Sequence, residues 1–335
     1  MGLAMNLTDH SGRVRWARRV VCLLVVSTLI LASSTPSASA GLITWNVNFA
    51  DVTNSTGVGF DDATQGAARR QTFLEVLDYL GSVLDETGTV DLDILASQTD
   101  GSGFLASAGP YFSTTGPAGF RNGFVYDHLK NGSDPTASVA DATVTFDFGY
   151  TWNSETDTPT GSEYDLYTVA LHEMSHAIGY LSLIEPDGTS GVSGGDPGVY
   201  SVYDSFLELG DGTDLFGAGG DFVGSASDLT SGNVYFNGAN AALAYGGPVP
   251  VYAPSTFASG SSIAHLANSV TSLMNYSVAP GVSKRLYSSV DLGILKDIGW
   301  NISTVPEPST MFLILCMVGG WLVAPIRQRR LSMAG

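Results

Sequence analysis

The chain has 335 residues, of which 44% are hydrophobic and 14% charged, and its formal net charge is −18. This length and apolar content suffice for one large or two small folded domains, and aromatic residues at 10% argue against full disorder. Because an acidic chain repels the phosphate backbone, we expect no nucleic-acid partner.

The first 40 residues predict a secretory signal peptide. Four arginines between positions 13 and 19 precede an apolar run over 20–32 that is short for a membrane span. Small residues at 38–40 then offer a cleavage site. A buried N-terminal helix is the alternative, but the order of basic, apolar and cleavage segments favours export.

Strand and helix patterns follow one another in the first part of the exported body. Residues 41–50 and 90–95 alternate apolar and polar side chains, which predicts two strands. Apolar residues at helical spacing predict an amphipathic helix over 61–84. Residues 98–122, rich in Gly, Ser and Thr, predict a loop, and 140–148 (ADATVTFDF) predicts a strand.

Residues 162–179 predict a helix that carries a metal-binding motif. It starts at Ser162 in a pattern similar to a capping box, and Gly179 is typical of the position just past a helix end. Within LHEMSHAIG, His172 and His176 are one turn apart, so both imidazoles can face one Zn²⁺. Glu173 lies about 100° further round the helix, where it can act as a general base.

A catalytic zinc needs a third protein ligand and an open position for water. The extended motif HExxHxxGxxH places that ligand at Ser182, which is a poor zinc ligand. His128 and His265 are the remaining histidines of the exported body, and Glu208 is an alternative carboxylate. His128 lies in a polar stretch, and we expect it to be exposed to solvent.

The downstream sequence carries a resemblance to a known family. Residues 272–276 (SLMNY) follow His265, and 290–300 (VDLGILKDIGW) close the body within a short predicted helix over 288–298. HExxHxxG, a long insertion, a distant histidine and a methionine turn together resemble leishmanolysin-type metzincins and related secreted bacterial metalloproteases. The resemblance implies an α+β zincin fold with a twisted mixed sheet, an active-site helix and a Gly-rich C-terminal subdomain.

The resemblance also implies roles for individual residues. They are His172, His176 and His265 as zinc ligands, Glu173 as general base and acid, and Met274 as the structural residue of the methionine turn. Tyr276 resembles the tyrosine that in some metzincins stabilises an oxyanion, and a packed core tyrosine is the alternative. By analogy with zincins, the strand over 140–148 is an exposed edge that pairs with an extended peptide.

A long Gly-rich and acidic insertion separates the helix motif from the third histidine. Residues 184–262 predict loops with short strands near 199–203 and 249–252. Some of its aspartates could hold Ca²⁺ through oxygen ligands, namely Asp187, Asp196, Asp211 and Asp214. No stretch matches a defined calcium-loop spacing, so ordinary acidic turns are favoured.

Residues 305–335 predict a sorting tail. A Pro-Glu-Pro motif at 306–308 precedes an apolar run over 311–326 and a basic cluster at 327–330. This order resembles the PEP-CTERM signal of Gram-negative bacteria. The resemblance implies a transient C-terminal transmembrane helix, cleavage by an exosortase, and release to the cell surface, outer envelope or extracellular matrix. A plain C-terminal anchor is the alternative.

The chain therefore divides into three parts, which are a signal peptide at 1–40, a catalytic domain at 41–304 with subdomains of about 41–179 and 180–304, and a tail at 305–335. Both cysteines, Cys22 and Cys316, lie outside the catalytic domain, which leaves it no thiol ligand or nucleophile. We expect a secreted or cell-surface zinc endopeptidase that acts on peptides or proteins. The alternative is a non-catalytic surface or matrix protein with a structural metal, which the intact Glu173 disfavours.

Overall fold

The computed structural model describes residues 42–303 except 99–100, 102, 133, 138, 156, 194 and 196. Contacts group residues 40–303 into one unit, and the signal peptide and sorting tail expected at the two ends lie outside the described residues. Among the described residues, no helix has the length and apolar character needed to cross a membrane.

The described part is a mixed α+β fold with six α-helices and several small sheets. The helices are α1 (Ala50–Asn54), α2 (Gly66–Val83), α3 (Phe124–Asn131), α4 (Leu166–Ala177), α5 (Ala239–Tyr245) and α6 (Ser289–Asp297). The strands are β1 (Ile43–Phe49), β2 (Gly88–Gln98), β3 (Ala106–Pro110), β4 (Gly119–Arg121), β5 (Ala142–Asp147), β6 (Trp152–Asn153), β7 (Tyr164–Asp165), β8 (Val199–Ser201), β9 (Leu207–Leu209), β10 (Val234–Phe236) and β11 (Val249–Pro250).

The largest sheet has four strands in the order β1-β2-β5-β3. β1, β2 and β5 are parallel, and β3 runs antiparallel to β5. The expectation that 140–148 forms an edge strand is therefore wrong, because β5 is paired on both sides. The edge strands are β1 and β3, and β3, which pairs with β5, lies within the predicted loop at 98–122. Its sequence, ASAGP, has weak strand propensity, and pairing with β5 overrides that preference.

Helix α2 contributes several side chains to the hydrophobic core. Its fully buried face includes Phe73, Val76 and Leu80, as the apolar spacing predicts, but the helix begins at Gly66 rather than at residue 61. Phe73 packs edge-on against Phe60 and Phe146, with ring centroids 6.2 and 6.1 Å apart. These edge-to-face contacts join the helix to strand β5.

Polar contacts cap the start of helix α4, and a glycine follows its end. Its N-cap is Asp165, whose carboxylate accepts from Thr168 N at 3.3 Å and Thr168 Oγ1 at 2.6 Å. The predicted start at Ser162 is therefore three residues early, because Asp165 caps the helix itself. Arg285 binds Asp165 through Nη2 at 2.6 Å and Nε at 3.0 Å. At the other end, Gly179 has φ 103°, a left-handed conformation that favours glycine.

The end of the described chain packs back onto α4. Helix α6 begins with a capping box between Ser288 and Asp291, in agreement with the predicted helix over 288–298. Beyond it, Trp300 Nε1 donates to Ile178 O at 3.0 Å. This hydrogen bond joins the C-terminal segment directly to the end of α4.

Candidate metal centre

Three imidazoles converge from two distant parts of the chain. His172 and His176 lie one turn apart on α4, and His265 lies in the loop between β11 and α6. Their Nε2 atoms are 3.0 Å apart for His172 and His265, 3.1 Å for His176 and His265, and 3.2 Å for His172 and His176. His176 and His265 are buried, whereas His172 is partly exposed. The predicted convergence is confirmed.

The second nitrogen of each ring faces a main-chain carbonyl. Nδ1 of His172 is 3.1 Å from Leu273 O, Nδ1 of His176 is 2.6 Å from Tyr180 O, and Nδ1 of His265 is 2.8 Å from Ser261 O. Since a carbonyl oxygen only accepts, each Nδ1 carries the hydrogen and donates it. Each neutral ring therefore turns a lone pair on Nε2 towards the other two.

The surroundings keep these rings neutral. Burial lowers the pKa of His172 to about 4 and that of His265 to about 3, and it lowers the pKa of His176 well below its usual value. Repulsion between the rings adds to burial for His176 and His265. Three lone pairs about 3 Å apart repel one another unless a cation lies among them.

The spacing and donor type fit a zinc ion. Two nitrogens bound tetrahedrally at about 2.0–2.1 Å from zinc lie about 3.3 Å apart, close to the separations found here. Three neutral imidazoles are also a donor set that zinc accepts readily. The triad could therefore bind a metal ion such as zinc.

Glu173 is buried beside the triad. It follows His172 in α4 and is 6% exposed. Burial raises the pKa of its carboxyl group to about 8.

A clamp of two charged side chains holds residues 272–276, the methionine turn. The Asp291 carboxylate accepts from Ser272 Oγ and from Leu273 N, the latter at 3.0 Å. Lys284 Nζ donates to Ser272 O at 2.7 Å and to Asn275 Oδ1 at 2.9 Å. Because Leu273 O accepts from His172, this clamp sets the orientation of one ring of the triad.

Met274 and Tyr276, both predicted from the resemblance, differ in burial. Met274 is fully buried, and its carbonyl accepts from Leu266 N at 2.9 Å next to His265. Tyr276 is 38% exposed and stacks on Tyr252 with centroids 3.8 Å apart and planes at 9°. The alternative of a packed core tyrosine is therefore wrong, and a catalytic role for Tyr276 stays a prediction.

The structure separates the other candidate ligands from the triad. Glu208 lies on β9 and accepts from Asn237 Nδ2 at 2.8 Å, outside the triad. Asp187 and Asp211 each accept hydrogen bonds from a threonine two residues further on, as ordinary acidic turns do. Neither belongs to a metal-ligand cluster among the described residues. Bound Ca²⁺ in these loops stays a prediction.

His128 does not match its expected exposure. Its side chain is 13% exposed, and Nδ1 lies 2.8 Å from Oδ2 of Asp141. Sequence reasoning also missed Lys284 and Asp291. Asp291 carried a detectable signal, because Ser288 and Asp291 have the spacing of a capping box. Nothing comparable marks Lys284, whose partners come from tertiary structure.

Comparison with known proteins identifies no relative. No family model matches the chain, and no curated protein or solved structure matches it. The geometry of the three imidazoles therefore carries the functional assignment.

Proposed function

We propose that the chain is a zinc-dependent endopeptidase whose motifs resemble those of metzincins. One observation carries the proposal, namely three neutral imidazoles whose Nε2 lone pairs meet within 3.0–3.2 Å. A structural zinc usually has four protein ligands, whereas this cluster offers three. A buried carboxyl group at Glu173 beside the triad is the proton acceptor that hydrolysis requires and a structural site does not.

In this mechanism, His172, His176 and His265 hold the ion through Nε2. When bound, zinc supplies Lewis acidity that polarises a peptide carbonyl and acidifies water. Glu173 removes a proton from the attacking water as the C–O bond forms, then delivers it to the leaving amine as the C–N bond breaks. Glu173 is 6% exposed and adjacent to His172 in α4, so its carboxyl group lies beside the proposed ion and away from bulk water.

Substrate binding in this proposal uses the free edge of β3. The strand packs against α4, and its hydrogen bonds within the described residues are to β5 on one side. An extended peptide can add to the other side through main-chain hydrogen bonds. Tyr276, exposed and supported by Tyr252, is the proposed donor to the oxyanion.

The ends of the sequence support a location for this activity. The basic and apolar segments at 1–40 favour export, and the tail at 305–335 resembles a signal for exosortase processing. We place the enzyme on the cell surface, in the outer envelope or in the extracellular matrix of a Gram-negative bacterium. Its substrates are peptides or proteins.

Casein cleavage by the zinc-loaded chain tests the proposal. We expect the Glu173→Gln substitution to lower the rate by at least about 10³-fold while bound zinc is unchanged, because only the proton acceptor is removed. Glu208→Gln is the matched control, since it alters the alternative carboxylate, and it should keep both zinc and activity. Equal cleavage by Glu173→Gln and the parent would refute the mechanism.

Metal analysis separates the enzyme from a protein with a structural metal. We expect His265→Ala to lose both the zinc at the triad and the activity, because only the Nε2 atoms of His172 and His176 would remain as ligands. Zinc bound at the triad without casein cleavage by the parent, over a panel of unfolded and folded proteins, would support the structural alternative. Loss of zinc in Glu208→Gln with retention in His265→Ala would identify Glu208 as the third ligand.

A further inference from the structure

A second cluster of metal-ligating side chains lies away from the triad. Asp91 on β2, His128 on α3 and Asp134 in the following loop each place one ligand atom within 4.8 Å of the other two. Asp91 is partly buried, and Asp134 is exposed. The cluster thus collects ligands from a strand, a helix and a loop, and none of them belongs to the methionine turn or to α4.

A buried carboxylate orients the imidazole of this cluster. His128 Nδ1 lies 2.8 Å from Oδ2 of Asp141, and Asp141 is fully buried. Because a carboxylate accepts, His128 donates from Nδ1, and Nε2 is the ring nitrogen left to bind a metal ion. A carboxylate behind a metal-bound histidine is the usual second-sphere arrangement in zinc sites.

The charge of the cluster is unbalanced. Asp91, Asp134 and Asp141 bring three carboxylates to one imidazole, and no Lys or Arg ion pair reaches them among the described residues. Oδ1 of Asp141 is buried without a hydrogen-bond partner. A buried anion with an unsatisfied oxygen is costly unless positive charge lies near it.

The two remaining carboxylates are held in place by one oxygen each. Asp91 Oδ1 accepts from Asn46 Nδ2 at 2.8 Å. Asp134 Oδ1 accepts from Thr136 N at 2.9 Å and from Ala137 N at 2.7 Å. The second oxygen of each carboxylate is the one that can turn to a ligand.

We propose that Asp91, His128 and Asp134 form a second zinc site with Asp141 as the outer carboxylate. One imidazole with two carboxylates is a donor set for zinc, whereas calcium and magnesium prefer oxygen ligands alone. Ligand atoms up to 4.8 Å apart are wider than the roughly 3.3 Å of tetrahedral zinc, so the site closes on binding. Asp134 is exposed, so its side chain can move towards the ion as the site closes.

The ion has a route to the site and a structural effect once bound. Asp91 lines a groove of about 910 Å³ on the outer face of β1 and β2, which gives access from solvent. Binding would join β2, the second strand of the main sheet, to α3 and to the loop that precedes β5. The zinc therefore stabilises the sheet rather than the peptidase chemistry.

Zinc content of the full chain tests the proposal. After removal of metal, reloading with zinc and dialysis, we expect two zinc ions per chain in the parent and one in Asp91→Asn. Asp93→Asn is the matched control, because Asp93 lies two residues along β2 and is bonded to Asn48 rather than placed in the cluster. It should keep two.

The His265→Ala background isolates the second site from the triad. There we expect one zinc per chain, falling to none when Asp91→Asn or His128→Gln is added. Zinc at about 100-fold over Kd should also raise the melting temperature of His265→Ala by roughly 5–10 °C, and Asp91→Asn should remove this rise.

Two results would overturn the proposal. The first is a His265→Ala chain that binds no zinc and melts at the same temperature with and without it. The second is equal zinc content in Asp91→Asn and Asp93→Asn. Circular dichroism of Asp134→Asn, whose exposed side chain is not part of the core, checks that zinc loss does not reflect unfolding.

Discussion

The clamp on the methionine turn predicts that Asp291 controls zinc affinity from a distance. Its carboxylate accepts from Ser272 Oγ, Leu273 N, Ser288 N and Ser288 Oγ. Asp291→Ala leaves the Ser272 hydroxyl and the Leu273 amide, both buried, without their acceptor. At about 1–3 kcal/mol for each buried unsatisfied group, the free energy of unfolding should fall by about 2–6 kcal/mol.

The same substitution frees the peptide that orients His172. Leu273 loses its anchor at N while its O still accepts from His172. Loss of such an outer contact typically lowers metal affinity about 10–100-fold, so we expect the triad Kd for zinc to rise by that factor. Competition with a chromophoric chelator measures this Kd, and urea unfolding in excess chelator measures stability separately.

Asp297→Ala is the matched control on the same helix. Its carboxylate also accepts from two main-chain amides, Asn240 N and Ala241 N, each at 2.9 Å, but it does not reach the methionine turn. We expect it to lower stability and leave the zinc Kd unchanged. Equal zinc affinity in Asp291→Ala and Asp297→Ala would refute the clamp, and Asp291→Asn supplies a folded comparison.

Three further predictions concern metal removal, pH and helix capping. Free zinc at about 100-fold over Kd should add about 2.7 kcal/mol to the free energy of unfolding, and a chelator titration that leaves the melting temperature unchanged would exclude a bound ion. Burial raises the pKa of Asp204 from 3.8 to about 6, so the folded state binds its proton more tightly. Stability should therefore fall by about 3 kcal/mol as pH rises from about 4 to 6, and Asp204→Asn should remove that fall in urea titrations at pH 4 and 7. Arg285→Lys should lower stability by about 1–3 kcal/mol by thermal unfolding, since one ammonium cannot match both bonds to Asp165, and no change would contradict a capping role.

Local patterns predicted the elements that depend on local chemistry. Helix α2 follows from apolar spacing, and α6 from spacing together with its capping box. The spacing of His172, Glu173 and His176 is a property of one helix turn, so the sequence suffices for that part of the site. The sequence alone could not place His265 beside α4, because that approach depends on the path of the whole insertion.

The features that sequence patterns did not predict depend on tertiary contacts. Strand β3 has a Gly- and Ala-rich sequence, and only its pairing with β5 makes it a strand. His128 looks polar in its sequence neighbourhood, yet Asp141, thirteen residues further on, buries and binds it. Such partners come from the fold, and periodicity carries no information about them.

The long separation of His176 from His265 gives a bound ion a second role. His265 lies 89 positions after His176, and one ion that binds both side chains closes a loop of that size. By the chain-entropy relation for cross-links, such closure removes about 4–5 kcal/mol of conformational freedom from the unfolded state. Residues 41–304 contain no cysteine, so no disulfide restrains their unfolded chain. A metal ion bound at the triad would act as a reversible cross-link in its place, so the supply of metal would govern the stability of the folded chain as well as the proposed chemistry.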